Sequence, residues 1–151
     1  MPPFTPATPD FAERVRDTFG RQALMATLGA TLLHVAPGEA EIEFPFHPEL
    51  TQQHGYLHAG VVTAVVDTAC GVAAFSLMPA GAAVLSVEYK VNLLAPARGE
   101  RFRARGRVLR PGRTLTVCSG DVVALDQDGG ETPIATMLAT MMAVVGRGIS
   151  G

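Results

Sequence analysis

Asp67 is hard to explain by folding alone, because it sits inside Ala59–Leu77, a run of nineteen residues that is otherwise apolar on nearly every face. Lone charges are seldom buried without a partner. Inside a helix an Asp is neither a cap nor a propensity choice. Two readings of the residue stand on this basis. Asp67 could hydrogen-bond a neighbouring loop and serve structure only, or it could be a working carboxylate whose basicity burial raises. The start of the same run offers a second group. The peptide N–H groups of Ala59 and Gly60 fall in a first turn, where intrahelical acceptors are missing and a developing oxyanion is favoured. Gly60, lacking a side chain, would let a ligand approach the backbone.

Other candidates carry less. His54 and His58 are four apart, but they precede the helix and no carboxylate or thiol stands beside them, so no metal site is expected. Cys70 and Cys118 lie in apolar surroundings without CxxC spacing, and read as small core residues rather than a disulfide, a zinc site or a nucleophile. Thr63 and Thr68 read as helix packing, and Met137, Met141 and Met142 as core or interface packing. Seven arginines fall between Arg98 and Arg113; those at turns, Arg98, Arg110 and Arg113, could grip phosphates.

These groups must be held by elements the chain spells out in order. Residues 1–9, with four prolines, read as a loose tail, and 147–151 as a flexible end; 10–146 reads as one domain. Asp10 with Glu13 has the capping-box spacing ahead of a short helix that Gly20 ends. A second helical turn is expected over 22–27. Ala30–Ala36 and Glu39–Phe46 flank Pro37-Gly38 as a hairpin, with Glu41-Ile42-Glu43-Phe44 alternating polar and apolar. A loop over 50–57 leads into the long run, whose length and five alanines favour helix over strand. A helix apolar all round is a buried helix. Ala83–Leu94, Arg101–Leu109, Thr114–Asp126 and Thr132–Val145 then read as strands joined by Pro/Gly turns. The expected class is α+β, with an antiparallel sheet wrapped around one buried helix.

Composition narrows the function classes. The 151 residues are 48% hydrophobic, enough for a single packed domain and too many for disorder. A formal net charge of −2 gives no footprint for nucleic acid. The segment 59–78 has the length of a membrane span, but its central Asp would cost about 2.5–3.5 kcal/mol on insertion scales. No membrane insertion is expected. The N-terminal residues show no basic and apolar leader pattern, so the cytoplasm is the expected location.

The segment His58-Ala59-Gly60-Val61, followed by Asp67-Thr68-Ala69, resembles the His-Gly-Gly…Asp signature of PaaI-type hotdog thioesterases, the phenylacetate-degradation group. Leu85-Ser86-Val87-Glu88-Tyr89 and Leu94-Ala95-Pro96-Ala97-Arg98-Gly99 also fit that pattern, and the resemblance runs from about residue 22 to 145. It implies the hotdog fold and hydrolysis of an acyl- or aryl-CoA without metal or organic cofactor. Asp67 would attack the thioester or activate water, and the Ala59 N–H would polarise the carbonyl. Gln52 would orient substrate or water, and Ser86 would place a helper hydroxyl near the carboxylate. His58, Gly60, Arg98, Arg110 and Arg113 complete the candidate substrate contacts, with the arginines facing CoA phosphates. Ala59 departs from the family's usual Gly, which keeps the amide and narrows the pocket slightly.

Those roles carry a geometric consequence. Eight residues of helix separate Ala59 from Asp67 by about 12 Å, while both must reach one carbonyl. Two antiparallel copies could meet that demand. At least a homodimer is therefore expected, with a homotetramer built as a dimer of dimers. Two rivals are weaker. A hydratase or dehydratase would need a His paired with an acid, and Phe44-Pro45-Phe46-His47-Pro48 only faintly echoes that pattern. A non-catalytic acyl-CoA sensor would dispense with the carboxylate and normally add a DNA-binding segment.

Overall fold

The computed structural model describes residues 4–151. Helices α1 (Phe11–Gly20) and α2 (Ala23–Thr27) precede strands β1 (Thr31–Ala36) and β2 (Glu39–Pro45). A single 3₁₀ turn, Pro48–Leu50, leads through a loop to helix α3 (Ala59–Phe75). Strands β3 (Ala83–Leu93), β4 (Arg101–Arg110), β5 (Leu115–Leu125) and β6 (Glu131–Val144) follow. Each expected element is present within a few residues of its predicted bounds. The six strands form one antiparallel sheet in the order β1-β2-β4-β5-β6-β3. It wraps around α3 in the hotdog arrangement that the sequence predicts.

Alternation decides which face of the sheet meets the helix. Ala40, Ile42 and Phe44 of β2 are buried with Phe102, Ala104 and Val108 of β4, and the Phe44 and Phe102 rings stack at 5.4 Å. The opposite face carries Glu41 and Glu43, paired with Arg101, Arg103 and Arg105, and Arg105 also meets Glu131. Three of the seven clustered arginines are thus committed to the sheet's outer face. Helix α3 buries Val62, Val65, Val66, Ala69, Cys70 and Val72 against the inner one.

Two glycines set how closely α3 approaches. Gly106 and Gly120 face each other across β4 and β5. A Cβ at Gly106 would come within 2.3 Å of the Ala69 carbonyl, and one at Gly120 within 2.5 Å of Val66. The helix backbone rests directly on the sheet there, and the Cys118 thiol donates to the Cys70 carbonyl. Burial pushes both thiols well up from their ordinary value, as expected of packing residues.

The ends differ from expectation in detail. Residues 1–3 of the expected tail lie outside the described residues. Phe4 packs against the core, and Thr8 accepts a hydrogen bond from Arg14. Asp10 stands at the N-cap of α1, but its side chain makes no capping bond; its ψ of 14° leaves the extended region that capping requires. Arg14 also donates to the Met78 and Pro79 carbonyls and lies over the Phe75 ring, tying α1 to the end of α3. At the C-terminus the Gly151 N–H donates to the Ala82 carbonyl.

Candidate active site

The loop before α3 is built around Gln52. Its peptide carbonyl accepts from the Gly55 N–H, and Gly55 takes φ +84°, closing a turn that suits glycine. Its side-chain oxygen accepts from the N–H groups of His54 and Tyr56. Two backbone donors therefore hold the amide oxygen, and Gln52 lines the adjoining cleft. The loop is anchored by Leu57 N–H to the Ala97 carbonyl and His58 N–H to the Leu50 carbonyl.

At the helix start, the orphan amides of the first turn can be accounted for one by one. Gly60 N–H donates to His58 Nδ1 at 2.8 Å. Val61 and Val62 N–H both donate to the His58 carbonyl, at 2.9 and 3.4 Å. The Ala59 N–H has no acceptor among the described residues. It borders a cleft of about 490 Å³ lined by Gln52, Tyr56, Leu57, Val62, Leu93 and Ile134, among others. The lining is mostly apolar, with Gln52, His54 and Ala59 contributing the polar groups. The Leu94 N–H bonds the Ile134 carbonyl and brings the end of β3 beside β6 to form the wall. Beside Tyr56, in an adjoining cleft, the Arg98 guanidinium lies 5.7 Å from the ring centroid and pairs with no carboxylate among the described residues.

Asp67 lies elsewhere. Its Oδ1 accepts from the Ser86 hydroxyl at 2.7 Å, and the pair borders a second cleft of about 340 Å³. A bulge in β3 at Val87 aims that serine. Ser86 stands opposite buried Met141, and Glu88 opposite Thr140, so the extra residue turns Ser86 toward the helix and Glu88 toward the outer face. Burial raises the Asp67 carboxyl above its ordinary 3.8, partly offset by the serine hydrogen bond. No cation pairs with it among the described residues.

The two clefts share no lining residue. One chain brings Gln52 and Ala59 together, and Asp67 and Ser86 together, but keeps the pairs apart by about 12 Å of helix. The arginines divide as well. Arg98 lines a neighbouring cleft that shares Tyr56, Pro96 and Ile134 with the first, whereas Arg110 is the last residue of β4 and Arg113 lies just past it, about 30 Å along the strand. That is the end of the sheet where Ser86 lies.

Tyr56 and Leu57 border the first cleft and Val84 the second, whereas Phe75 and Met78 are in the core. Thr68 is not only packing, because it borders the Asp67 cleft and donates to the Gln22 side chain. Thr18 joins it there with a buried hydroxyl that has no partner among the described residues. Leu93, Ile134, Thr18 and Gln22 were not legible in the sequence, since nothing local marks a residue whose neighbours are remote. His47 packs beside Gly29, away from both clefts. No cluster of three metal-ligating side chains occurs among the described residues, and no helix among them is long and apolar enough to cross a membrane.

The Thioesterase superfamily model matches residues 54–131, just over half of the chain, and covers the end of the loop, α3 and strands β3 to β5. The chain belongs to that superfamily of thioester hydrolases, and its fold is that of the PaaI-type hotdog members. A thioesterase family protein from Silicibacter pomeroyi is 57% identical, with TM-score 0.87 over 90% of this chain and 99% of that one. Human acyl-coenzyme A thioesterase 13 is 32% identical over 93 residues, spanning 61% of this chain and 66% of that protein. The E. coli PaaI protein from the phenylacetic acid degradation operon shares the fold at TM-score 0.80 and 16% identity, over 91% of this chain and 96% of its own.

Proposed function

We propose that the chain hydrolyses an acyl- or aryl-CoA to the free acid and CoA, in a site completed by two copies. The observation that carries this reading is the split of complementary halves between two clefts on one chain. Ala59 N–H and the Gln52 amide would hold the thioester oxygen. Asp67 of the opposite chain, steadied by Ser86, would attack the carbonyl or take a proton from water. The thiolate of CoA is a good leaving group, so one carboxylate and one oxyanion donor can suffice without a triad.

The edge of the sheet supports pairing of two chains. Strand β3 has β6 on one side only, and its Leu85, Val87 and Tyr89 are exposed. An open edge with exposed apolar side chains is a ready site for a second strand. Leu85 and Ser86 of that strand also border the Asp67 cleft, so pairing there would bring the partner's loop toward the carboxylate. We take a homodimer as the catalytic unit, assembled further into a homotetramer and working in the cytoplasm on metabolic CoA esters. Arg98, free of carboxylates among the described residues and lining the cleft that adjoins the first at Tyr56, would meet the CoA phosphates; Arg110 and Arg113 would serve from the other end of the sheet.

The test is a panel of acyl- and aryl-CoAs, with thiol release followed by a thiol-reactive dye. At least one ester should turn over, and Asp67→Ala and Asp67→Asn should each lose most of that rate while remaining folded. Equal rates for wild type and both variants would remove Asp67 from the reaction.

A further inference from the structure

We infer that His58 is a positioning residue: through Nδ1 its neutral imidazole occupies the Gly60 amide and leaves Ala59 N–H as the single free donor of the first turn. The inference rests on the hydrolytic reading above and says how the oxyanion donor is selected and aimed.

The cap of α3 is an unusual one. The N-cap of a helix is ordinarily Ser, Thr, Asp or Asn, whose oxygen accepts from the second or third amide. Here the cap is His58, with φ −60° and ψ 138°, and its acceptor is a ring nitrogen. Nδ1 can accept only when it carries no proton, so the ring proton must sit on Nε2. A single residue thereby ties down the helix start three times. Its N–H goes to the Leu50 carbonyl, its carbonyl takes Val61 and Val62, and its ring takes Gly60. The only first-turn amide outside this set is Ala59, the one that borders the cleft.

Gly60 completes the device. A Cβ on Gly60 would stand 3.0 Å from His58 Nδ1 and 3.4 Å from Cε1. The imidazole fills the space beside Gly60, so a methyl there would push the ring by a few tenths of an ångström. This differs from the sequence expectation of a bare backbone for a ligand to approach. A donor that is misplaced by about 1 Å can cost about 100-fold in rate, so the cap's value lies in aim more than in stability.

The experiment uses the full chain with the best ester from the panel, and reads kcat and KM separately. His58→Ala should lower kcat about 10- to 100-fold with KM changed less than about threefold, because the donor matters most to the developing charge. His58→Asn should recover most of that loss, since its side-chain oxygen can take the same N–H. Gly60→Ala should lower kcat as His58→Ala does. Nitrogen-15 NMR gives a readout independent of turnover: His58 should show an unprotonated Nδ1 and a protonated Nε2, and the Gly60 amide should shift in His58→Ala. A protonated Nδ1 at neutral pH, or an Asn variant that is folded yet no better than Ala, overturns the inference. So does a wild-type kcat in His58→Ala when Asp67→Ala is inactive in the same assay, and the hydrolytic reading then still stands. If Asp67→Ala is as active as wild type, that reading fails instead, while the nitrogen and amide signals continue to decide the cap.

Discussion

Two inactive variants of this chain should restore each other. If Asp67 acts on a thioester held by Gln52 and Ala59 of the opposite chain, then Asp67→Ala and Gln52→Ala damage different halves of each site. Loss of the carboxylate removes the base or nucleophile, worth about 100- to 10,000-fold. Gln52→Ala does more than delete an amide, since the Gln52 side-chain oxygen also holds the His54 and Tyr56 N–H groups of the loop that leads into Ala59. A loss of at least about tenfold is expected. When the two variants are mixed and allowed to exchange, about half the dimers are mixed. Two-fold symmetry then places both changes in one site and leaves the other intact. Half the dimers with one working site of two amount to about a quarter of wild-type activity, well above either parent. Thiol release from a CoA ester measures the recovery, and native mass spectrometry confirms the exchange. Should Gln52→Ala retain more than a quarter by itself, a bulky replacement at Ala59 takes its place. Confirmed mixed dimers without any recovered rate would show that each site is complete within one chain, and would refute the two-chain geometry.

Because burial raises the Asp67 carboxyl above 3.8, the acid limb of the rate profile should lie above that value, with rate lost as pH falls through it. Stability runs the other way: a carboxyl with a raised folded-state pKa favours folding when protonated and loses that contribution as pH rises. Asp67→Asn should therefore raise Tm at neutral pH by thermal scan, with a gain that shrinks toward acid. Gly106→Ala drives a methyl against the Ala69 carbonyl, and should cost about 1–3 kcal/mol, seen as a Tm lowered by roughly 3–10 °C. An unchanged Tm would mean that α3 can lift from the sheet without penalty. Arg98→Ala should raise KM about tenfold with little change in kcat, as expected for one lost phosphate contact; an unchanged KM across the panel would place the CoA phosphates elsewhere.

The order and type of the elements were legible in the sequence because each depends on neighbours within a few residues. Period-two alternation marked β2, unbroken apolar character marked α3, and Pro/Gly pairs marked the turns. Asp67 stood out for the same reason: a charge in an apolar helix is anomalous against its own flanks. The separation of Ala59 from Asp67 was also legible as a length, since eight helical residues cannot fold back on themselves. Only the tertiary structure decided the rest. The bulge at Val87 that turns Ser86 inward is a matter of β3–β6 register, which no local pattern encodes. Gly106 reads as a weak strand residue until α3 is laid across it. Arg101, Arg103 and Arg105 were legible only as strand residues, and their carboxylate partners appeared when β2 set Glu41 and Glu43 beside them. Thr18 and Ile134 reach the clefts from opposite ends of the chain, brought there by packing. Local periodicity fixes what an element is; which side chains meet across elements follows from register and close approach, and those are decided only when the whole sheet closes around the helix.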